Sequence, residues 1–363
     1  MASEPTLDDL RRYAVARTLF TPTTLARAID KLGFVQADPI RAPARAQDLI
    51  LRHRVAGYRA GELERRFTRL KIEEDAFVNY GFLPRRHLAL MHPRAPTRAW
   101  TAATGRRAAE VLAFIRAHGP TAPRAVEAHF AHGRRTNAWG GSSLATTHLL
   151  DAMHYRGLLR VHRRDNGTRV YAAVDHPPAD DGREARAARA TALLDLVVRK
   201  YAPLPASSLV YLARLLGYGA PHLRDETAAA LSAARERLAS LKLDGVSWYW
   251  PADENPRSRR WKVSEHVRLL APFDPIVWDR RRFERLWGWT YRFEAYTPAS
   301  KRTLGYYALP LLWRDAVIGW ANASVHDGRL VVSTHFVEAA PKDVAFKREW
   351  KEERDRLASF LGL

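Results

Sequence analysis

An amide and a carboxylate stand two positions apart near the amino end of the chain, as Gln36 and Asp38. Side chains alternate between the faces of an extended segment, so these two would share one face about 6 to 7 Å apart, while Val35 and Ala37 point into the core. A carboxylate can take a proton from water, and the neighbouring amide can orient that water or a sugar. One water or one sugar ring fits between the two side chains, and in a chain with a formal net charge of +20 the pair suits chemistry on nucleic acid.

Ordinary structural roles also fit Asp38. It precedes Pro39, where an aspartate often caps a turn. Arg41 or Arg45 could also neutralise it as an ion pair, because a buried carboxylate without compensation is unfavourable. Spacing alone leaves the catalytic and structural interpretations open.

The charge of the chain points to an anionic partner. Lys and Arg number 59 against 39 Asp and Glu, which gives a formal net charge of +20. Such an excess fits a phosphate backbone or an anionic membrane. Because the arginines are spread along the chain and no long apolar run occurs, we expect duplex DNA and no membrane. A composition rich in Ala, Arg and Pro, typical of a high-GC genome, explains part of the excess.

Several classes of site are excluded or disfavoured. The chain has no cysteine, which removes disulfides, thiolate nucleophiles, iron–sulfur clusters and the usual structural zinc sites. The histidines lack a recognisable metal-ligand spacing, and His53, close to the Gln36 segment, is interpreted as a surface or phosphate-contact residue. We therefore expect no metal and no cofactor. Residues 1–10 do not resemble a leader peptide, so we expect a cytoplasmic protein.

The elements around Gln36 and Asp38 can be predicted from caps and periodicity. Thr6 is expected to begin a helix that runs to about Thr18, and Thr21 or Thr23 a second that ends at Gly33. The strand with Gln36 follows, and then amphipathic helices over 46–55 and 62–70. We assign 1–100 to an N-terminal winged-helix-like domain that carries the candidate site.

The next block is expected to be a winged helix over 101–178. Helices are predicted over 108–117, 124–130 and 143–154, with Gly140 to Ser143 as the cap of the third, and a hairpin turns at Asn166-Gly167. The third helix of such a fold enters the major groove, and the hairpin wing contacts the backbone. The arginines predicted to contact DNA phosphates are those of this wing and of the Gln36 segment: Arg41, Arg45, Arg160, Arg163, Arg164 and Arg169.

The same order recurs in residues 185–264, with helices over 191–201, 206–215 and 227–241, a strand over 246–250 and a possible return at Lys262-Val263. The last third, 265–363, alternates as a small antiparallel β-barrel, with strands over 304–312, 316–324 and 330–336 and a closing helix over 341–360. Aromatic residues between Trp278 and Trp289 are interpreted as barrel core. The predicted fold class is therefore α+β, with tandem winged helices before a C-terminal barrel.

Two stretches in the right order and distance resemble a known family. The first is residues 32–51, with Gln36-Ala37-Asp38-Pro39 inside it. The second is residues 269–280, which read Leu269-Leu270-Ala271-Pro272-Phe273-Asp274-Pro275-Ile276-Val277-Trp278-Asp279-Arg280, followed by Tyr291-Arg292-Phe293-Glu294 and Tyr306-Tyr307-Ala308-Leu309-Pro310. Together they resemble the bacterial winged-helix DNA glycosylases of the YcaQ/AlkZ crosslink-repair type, and the Gln-apolar-Asp motif matches the Asp branch.

The resemblance implies excision of alkylated or crosslinked purines from duplex DNA, with Gln36 and Asp38 as the catalytic residues. An N7-alkylated purine already carries positive charge, so the enzyme must chiefly stabilise an oxocarbenium-like sugar and direct a water to it. No lysine lies beside the motif in sequence, which favours simple hydrolysis to an abasic site without a lyase step.

Two points stay open at the level of sequence. Other members carry a Glu-Tyr-Trp-x-His stretch where this chain has residues 74–80, so the range of lesions is not fixed. The alternative function is a non-catalytic winged-helix DNA-binding protein, since basic winged helices are frequent among regulators. In either case we expect a monomer.

Overall fold

The structure, a computed structural model, describes residues 4–95, 98–136, 142–177 and 180–363. The chain forms two compact units. The first unit comprises Met1–Leu63, Leu194–Arg214 and Ala230–Leu363, and the second Glu64–Leu193 and Leu215–Ala229. The division into four domains stays a prediction. Within the described ranges, no helix has both the length and the apolar character required to cross a membrane.

The fold mixes helices and small antiparallel sheets, so the α+β class is confirmed. The helices are α1 (Leu7–Thr18), α2 (Leu25–Leu32), α3 (Ala46–Leu51), α4 (Glu62–Arg66), α5 (Arg85–Leu88), α6 (Ala102–His118), α7 (Pro123–Phe130), α8 (Ala145–Tyr155), α9 (Arg183–Tyr201), α10 (Ala206–Gly219), α11 (Arg224–Arg237), α12 (Arg280–Trp287) and α13 (Val344–Leu361). The strands are β1 (Val35–Gln36), β2 (Ile72–Ala76), β3 (Tyr80–Pro84), β4 (Arg134–Thr136), β5 (Ser142–Leu144), β6 (Leu159–Asp165), β7 (Thr168–Ala173), β8 (Leu204–Pro205), β9 (Ala239–Leu243), β10 (Val246–Trp250), β11 (Val267–Leu269), β12 (Leu309–Trp313), β13 (Ala316–His326) and β14 (Arg329–Phe336).

Local signals place the helices that precede the candidate site. Thr6 caps α1 in a capping box with Asp9, as predicted. The cap of α2 is Thr24, one residue beyond the expected threonines, and its side chain accepts a hydrogen bond from the N–H of Arg27. Gly33 ends α2 with φ +67, a left-handed conformation that glycine adopts without strain. The chain then enters β1 directly.

The first unit contains a three-stranded antiparallel sheet in the order β8-β10-β9. The helix expected over 227–241 is wrong at its end, because α11 stops at Arg237 and residues 239–243 form a strand. Asp244 and Gly245 both have positive φ, which makes the tight hairpin that pairs Leu241 with Trp248. Lys262-Val263 is not a return strand, since β8 and β9 occupy both edges of β10.

The C-terminal sheet is a curled antiparallel half-barrel in the order β11-β12-β13-β14. The expected barrel is thus a half-barrel, with β11 and β14 at its two edges. A register shift between Leu311 and Leu312 bends β12, and Gly319 lies so close to β14 that a Cβ there would meet the carbonyl of His335 at 2.1 Å. The closing helix α13 is capped by Asp343 and starts at Val344, three residues later than expected.

Residues of this half-barrel and of α12 belong to one apolar cluster of the first unit. Phe283, Tyr291 and Leu312 are buried at its centre. Trp287 and Trp289 pack against the cluster, and the Trp289 indole N–H donates to the carbonyl of Val317 at 2.9 Å. The interpretation of these two tryptophans as core is confirmed.

The second unit contains α6, α7 and α8 followed by the antiparallel hairpin β6–β7. Asn166 and Gly167, with φ of +50 and +86, turn this hairpin as predicted. The β2–β3 hairpin also belongs to this unit and contains the whole 74–80 stretch. Of the predicted cap at 140–143, Gly140 and Gly141 lie outside the described residues, and the N-cap of α8 is Leu144 without a side-chain hydrogen bond.

Candidate active site

Gln36 lies at the end of β1 with only 5% of its surface exposed. Its Oε1 accepts a hydrogen bond of 2.7 Å from the indole N–H of Trp278. An indole nitrogen can only donate, so the facing atom of the amide must be its oxygen, and the amide orientation is fixed. The NH₂ group of Gln36 is thereby the end that can donate to another partner.

Trp278 is itself held by an aromatic group. Its ring lies 5.3 Å from that of Tyr201 and stacks at 6.0 Å on Tyr211, which is nearly half exposed. The expectation that Trp278 belongs to the barrel core is therefore wrong. This tryptophan is half-buried and orients Gln36. The sequence gives no local signal for this contact, because 242 positions separate the two residues.

A buried ion pair fixes the turn that carries Trp278. The guanidinium of Arg54 contacts both carboxylate oxygens of Asp274 at 2.8 and 3.0 Å, and both side chains are fully buried. The carbonyl of Asp274 accepts the backbone N–H of Trp278 at 2.8 Å. Bidentate pairing of this kind is geometrically specific, so it positions the indole as well as stabilising the turn.

Asp38 lies two residues beyond Gln36, in a turn and not in the strand. Its Oδ1 accepts the N–H of Ile40 at 2.9 Å, and its own N–H donates to Oε1 of Gln47 at 3.2 Å. The hydrogen bond to Ile40 is the turn cap that was the structural alternative for this residue. It uses one carboxylate oxygen and leaves Oδ2 for other partners. Because β1 ends at Gln36, the expected alternation over 35–38 does not continue: Ala37 is half-buried and Asp38 is 9% exposed.

Burial raises the pKa of the Asp38 carboxyl above its ordinary value, and the hydrogen bond from Ile40 opposes that rise. Neither Arg41 nor Arg45 is among the groups that shift this pKa, so the expected neutralisation by an arginine is wrong. Arg41 is exposed, and Arg45 is half-buried at the N-cap of α3. The carboxylate is therefore desolvated without a compensating cation among the described residues.

A cavity of about 610 Å³ lies beside the loop that follows Asp38. Its polar lining comes from that loop and from the C-terminal half-barrel: Arg41, Tyr306, Tyr307, Asn322, Ser324 and Ser333. Tyr307 links the cavity to the candidate site, since the Asp38 carboxylate is one of the charges that raise the pKa of the Tyr307 hydroxyl, after burial. The volume is within the roughly 300–1,000 Å³ usual for small-molecule sites.

The fold also brings a lysine to the motif, which the sequence order conceals. The Lys200 ammonium donates to the carbonyl of Phe34, two residues before Gln36, although 166 positions separate them. Burial and, to a smaller extent, the charge of Arg54 lower the pKa of Lys200 to about 7, although Asp274 opposes the shift. No lysine is next to the motif in the sequence, as expected, but in the folded protein Lys200 contacts Phe34, just before the strand that carries Gln36.

Exposed arginines surround the aromatic group in the first unit. Arg214 and Arg281 line a second cavity of about 490 Å³ together with Tyr211. Neither these two nor Arg41 makes an ion pair within the described ranges. Unpaired, exposed guanidinium groups beside an exposed aromatic ring are suited to a phosphate backbone and its bases. Sequence reasoning missed Arg214 and Arg281.

The wing arginines of the second unit have acidic partners that sequence reasoning did not anticipate. Arg160 pairs with Glu73 at 2.8 Å, and Arg164 contacts Glu74 through its Nε at 2.8 Å. Arg169 lies 2.8 Å from Asp151. The remaining pair is Arg163 with Asp165, 2.9 Å apart on the surface. The positive charge expected on the wing is largely compensated, and contact of these arginines with DNA stays a prediction.

The histidines give a mixed result. His53 is buried, its Nε2 lies 2.9 Å from the carbonyl of Leu269, and burial holds its pKa well below 6.5, so the expected surface role is wrong. In the part of the chain that the structure describes, one group could hold a metal ion: His266, Glu349 and Glu352, whose ligand atoms lie within 4.8 Å of one another. His266 and Glu349 already form an ion pair at 2.8 Å.

Comparison with known proteins agrees with this fold. The structure is similar to that of the Streptomyces sahachiroi DNA glycosylase AlkZ, with a TM-score of 0.61 over 99% of this chain and 98% of that one, at 14% sequence identity. A sequence model described as "DNA glycosylase AlkZ-like" matches residues 29–360, a range that includes Gln36, Asp38 and Trp278. The chain therefore belongs to the AlkZ-like family of DNA glycosylases.

Proposed function

We propose that this protein hydrolyses the N-glycosidic bond of N7-alkylated or crosslinked purines in duplex DNA and leaves an abasic site. Membership of a DNA glycosylase family supports the class of reaction. The observation that supports the assignment to Gln36 and Asp38 is that a fixed amide and a desolvated carboxylate stand two positions apart in the chain. We also propose that the chain belongs to the Gln-x-Asp branch of the family, with Asp38 as the aspartate of that motif.

In the proposed reaction, the Oδ2 end of Asp38 accepts a proton from the attacking water while the water oxygen bonds to C1′ of the deoxyribose. The electron pair of the C1′–N9 bond goes to the purine and neutralises its positive charge. Because the base leaves as a neutral molecule, no strong acid is required. The carboxylate also stabilises the oxocarbenium-like sugar, and it does so more strongly in a desolvated site than in water.

The amide of Gln36 holds the water or the sugar through its NH₂ group. Trp278 occupies the amide oxygen, so Gln36 acts as a donor. In this arrangement the amide NH₂ donates a hydrogen bond to the water oxygen, and the water donates one of its protons to the Asp38 carboxylate. A donor fixed in advance requires no reorganisation during the reaction.

The proposed enzyme is monofunctional. A lyase step requires a lysine amine that attacks C1′ of the sugar. Lys200, the lysine that the fold brings to the motif, is 7% exposed and engaged with a backbone carbonyl. Its low pKa would favour nucleophilicity, but its burial withholds the amine from DNA. Treatment with borohydride in the presence of substrate should therefore trap no covalent adduct.

We also propose that α6 to α8 with the β6–β7 hairpin, and α9 to α11 with β9–β10, are winged-helix modules that bind duplex DNA. The exposed Arg41, Arg214 and Arg281 would contact phosphates close to the candidate site. The wing arginines would first have to exchange their carboxylate partners for phosphates. We expect a cytoplasmic monomer that associates with the nucleoid when bound to DNA.

The proposal is tested by incubating the protein with duplex DNA that carries 7-methylguanine, and separately with a nitrogen-mustard crosslink. Release of the free base, with strand cleavage only after alkali, supports monofunctional hydrolysis. Binding of both duplexes without release of base would favour the non-catalytic alternative. Release from the first duplex alone would restrict the substrate to monoadducts.

A further inference from the structure

Tyr307 has an unusual hydroxyl group. The residue is 3% exposed, and its oxygen has no hydrogen-bond partner in the described part of the chain. Buried tyrosine hydroxyls usually find a partner, because an unsatisfied polar group costs about 1–3 kcal/mol. The side chain lines the 610 Å³ cavity beside the loop after Asp38. Because the residue that carries this unpartnered donor lines a cavity, the donor is a candidate to bond a guest bound there.

The surroundings of Tyr307 hold the ring firmly while leaving the hydroxyl unsatisfied. The ring packs edge-on against Phe293 at 5.4 Å, and Phe293 packs in turn against Phe273 at 5.0 Å. Asp38 acts on the hydroxyl electrostatically but is not hydrogen-bonded to it. The proton of the Tyr307 hydroxyl is therefore not engaged by Asp38 and can be donated to a guest.

The cavity wall opposite is also rigid. Asn322 donates through Nδ2 to the carbonyl of Leu304 at 2.9 Å, which leaves its Oδ1 as an acceptor. Gly305 has φ +117, and a Cβ there would meet this Oδ1 at 2.2 Å, so the close packing requires glycine. The wall thus presents a fixed amide acceptor, a phenol donor and the exposed ring of Tyr306. These groups match a planar heterocycle with both donor and acceptor edges.

We propose that this cavity receives the alkylated purine extruded from the duplex, and that Tyr307 is a further catalytic residue whose hydroxyl donates a hydrogen bond to the base as it leaves. The inference rests on the proposed function above. The base would stack against Tyr306 and present its amino edge to Asn322.

The chemistry favours a neutral donor at this point. As the C1′–N9 bond breaks, its electron pair enters the purine, and the acceptor atoms of the ring become more basic. A hydroxyl that donates to one of them stabilises the transition state more than the bound substrate. Burial and the Asp38 charge raise the pKa of Tyr307, so the hydroxyl stays protonated and keeps a proton to donate.

The test compares Tyr307→Phe with Tyr58→Phe in the full chain, by single-turnover release of 7-methylguanine under saturating protein. Tyr307→Phe removes only the unpartnered hydroxyl and keeps the packing on Phe293. We expect a rate loss of about a hundredfold, the lower end of the range for a donor to developing charge. Thermal stability should be unchanged or higher, and the affinity for undamaged duplex unchanged. Tyr58→Phe is the matched control, because Tyr58 is a buried tyrosine of the same unit whose hydroxyl donates to Asp48 at 2.7 Å. It should lose stability and keep the wild-type rate per folded molecule.

A second readout separates a catalytic from a packing role. Tyr307→Leu loses both ring and hydroxyl, so a rate equal to that of Tyr307→Phe would show that the hydroxyl accounts for the effect. Wild-type rates in Tyr307→Phe, with an inactive Asp38→Asn variant, would overturn the role of Tyr307 while the proposed function stands. No base release by the wild-type protein would instead overturn the proposed function itself.

Discussion

Replacement of Asp38 by asparagine should remove activity without weakening the fold. The carboxylate accepts one backbone hydrogen bond, from Ile40 at 2.9 Å, and the carbonyl oxygen of asparagine can keep it. The N–H of residue 38 still donates to Gln47. What the change removes is a negative charge that burial disfavours.

The direction of the stability change follows from the pKa of Asp38. Burial raises this pKa in the folded protein, so the folded state holds its proton to higher pH than the unfolded chain. Protonated Asp38 therefore contributes to the stability of the fold at low pH. This contribution is lost as pH rises from the pKa of the unfolded chain, about 3.9, through the raised pKa of the folded protein. At pH 7.5 Asp38→Asn should be at least as stable as wild type. Its advantage should disappear in acid, where both side chains are neutral.

The expected rate loss is large. A positioned general base contributes about 10²- to 10⁴-fold, which corresponds to roughly 2.7–5.4 kcal/mol of transition-state stabilisation. Single-turnover release of 7-methylguanine measures it, and thermal melts at pH 7.5 and pH 4 measure stability.

Asp48→Asn is the matched control, because Asp48 is a buried carboxylate of the same unit that accepts the Tyr58 hydroxyl at 2.7 Å and the Gly61 N–H at 3.1 Å. It should lose about 1–3 kcal/mol of stability and keep its rate per folded molecule. A wild-type rate in Asp38→Asn, or a larger stability loss there than in Asp48→Asn, would refute the assignment.

Three further outcomes are expected. Trp278→Phe keeps the stacked ring but loses the donor that orients Gln36, so base release should slow by about tenfold, whereas Trp289→Phe, a core change, should leave the rate per folded molecule unaltered. The stability of wild type should rise between pH 7 and pH 10.5 by up to about 5 kcal/mol, since the Lys200 pKa moves from 10.5 to about 7 on folding; a Lys200→Met variant should lack this rise in urea titrations. Arg281→Gln should lower the slope of log affinity against log salt by about one without affecting the melting temperature. Arg164→Gln should destabilise the fold, because it removes one of the two arginines that pair with the buried Glu74 carboxylate and leaves Arg169, 3.3 Å away.

Local signals in the sequence predicted the elements that position the candidate site. Each of these signals depends on residues that are close together in the sequence, which is why it can be predicted. They are the capping box at Thr6, the left-handed conformation of Gly33 and the Asn166-Gly167 turn. The strand over 239–243 was missed because its residues continue a helical pattern. Only the hairpin at Asp244-Gly245 and pairing with β10 make them extended.

The contacts that define the site are long-range, and no local pattern encodes them. Trp278 reaches Gln36 across 242 positions and Lys200 reaches Phe34 across 166. The partners of the wing arginines are equally distant, with Glu74 standing 90 positions before Arg164. Charges counted along the sequence therefore overstated the positive charge on the wing. The motif itself identified the catalytic candidates, but only the fold supplied the groups that orient them.

The environment of Asp38 is better suited to a cationic substrate than the one expected from sequence. An arginine partner would have satisfied the carboxylate in the free protein, and the same arginine would have competed with the substrate for it. In the described structure the carboxylate is desolvated and lacks that partner. An N7-alkylpurine with an oxocarbenium-like sugar carries the positive charge that the site lacks, and this charge moves onto the sugar as the bond breaks. The unfavourable burial of Asp38 is thus relieved most in the transition state, which is the condition for catalysis rather than for mere binding.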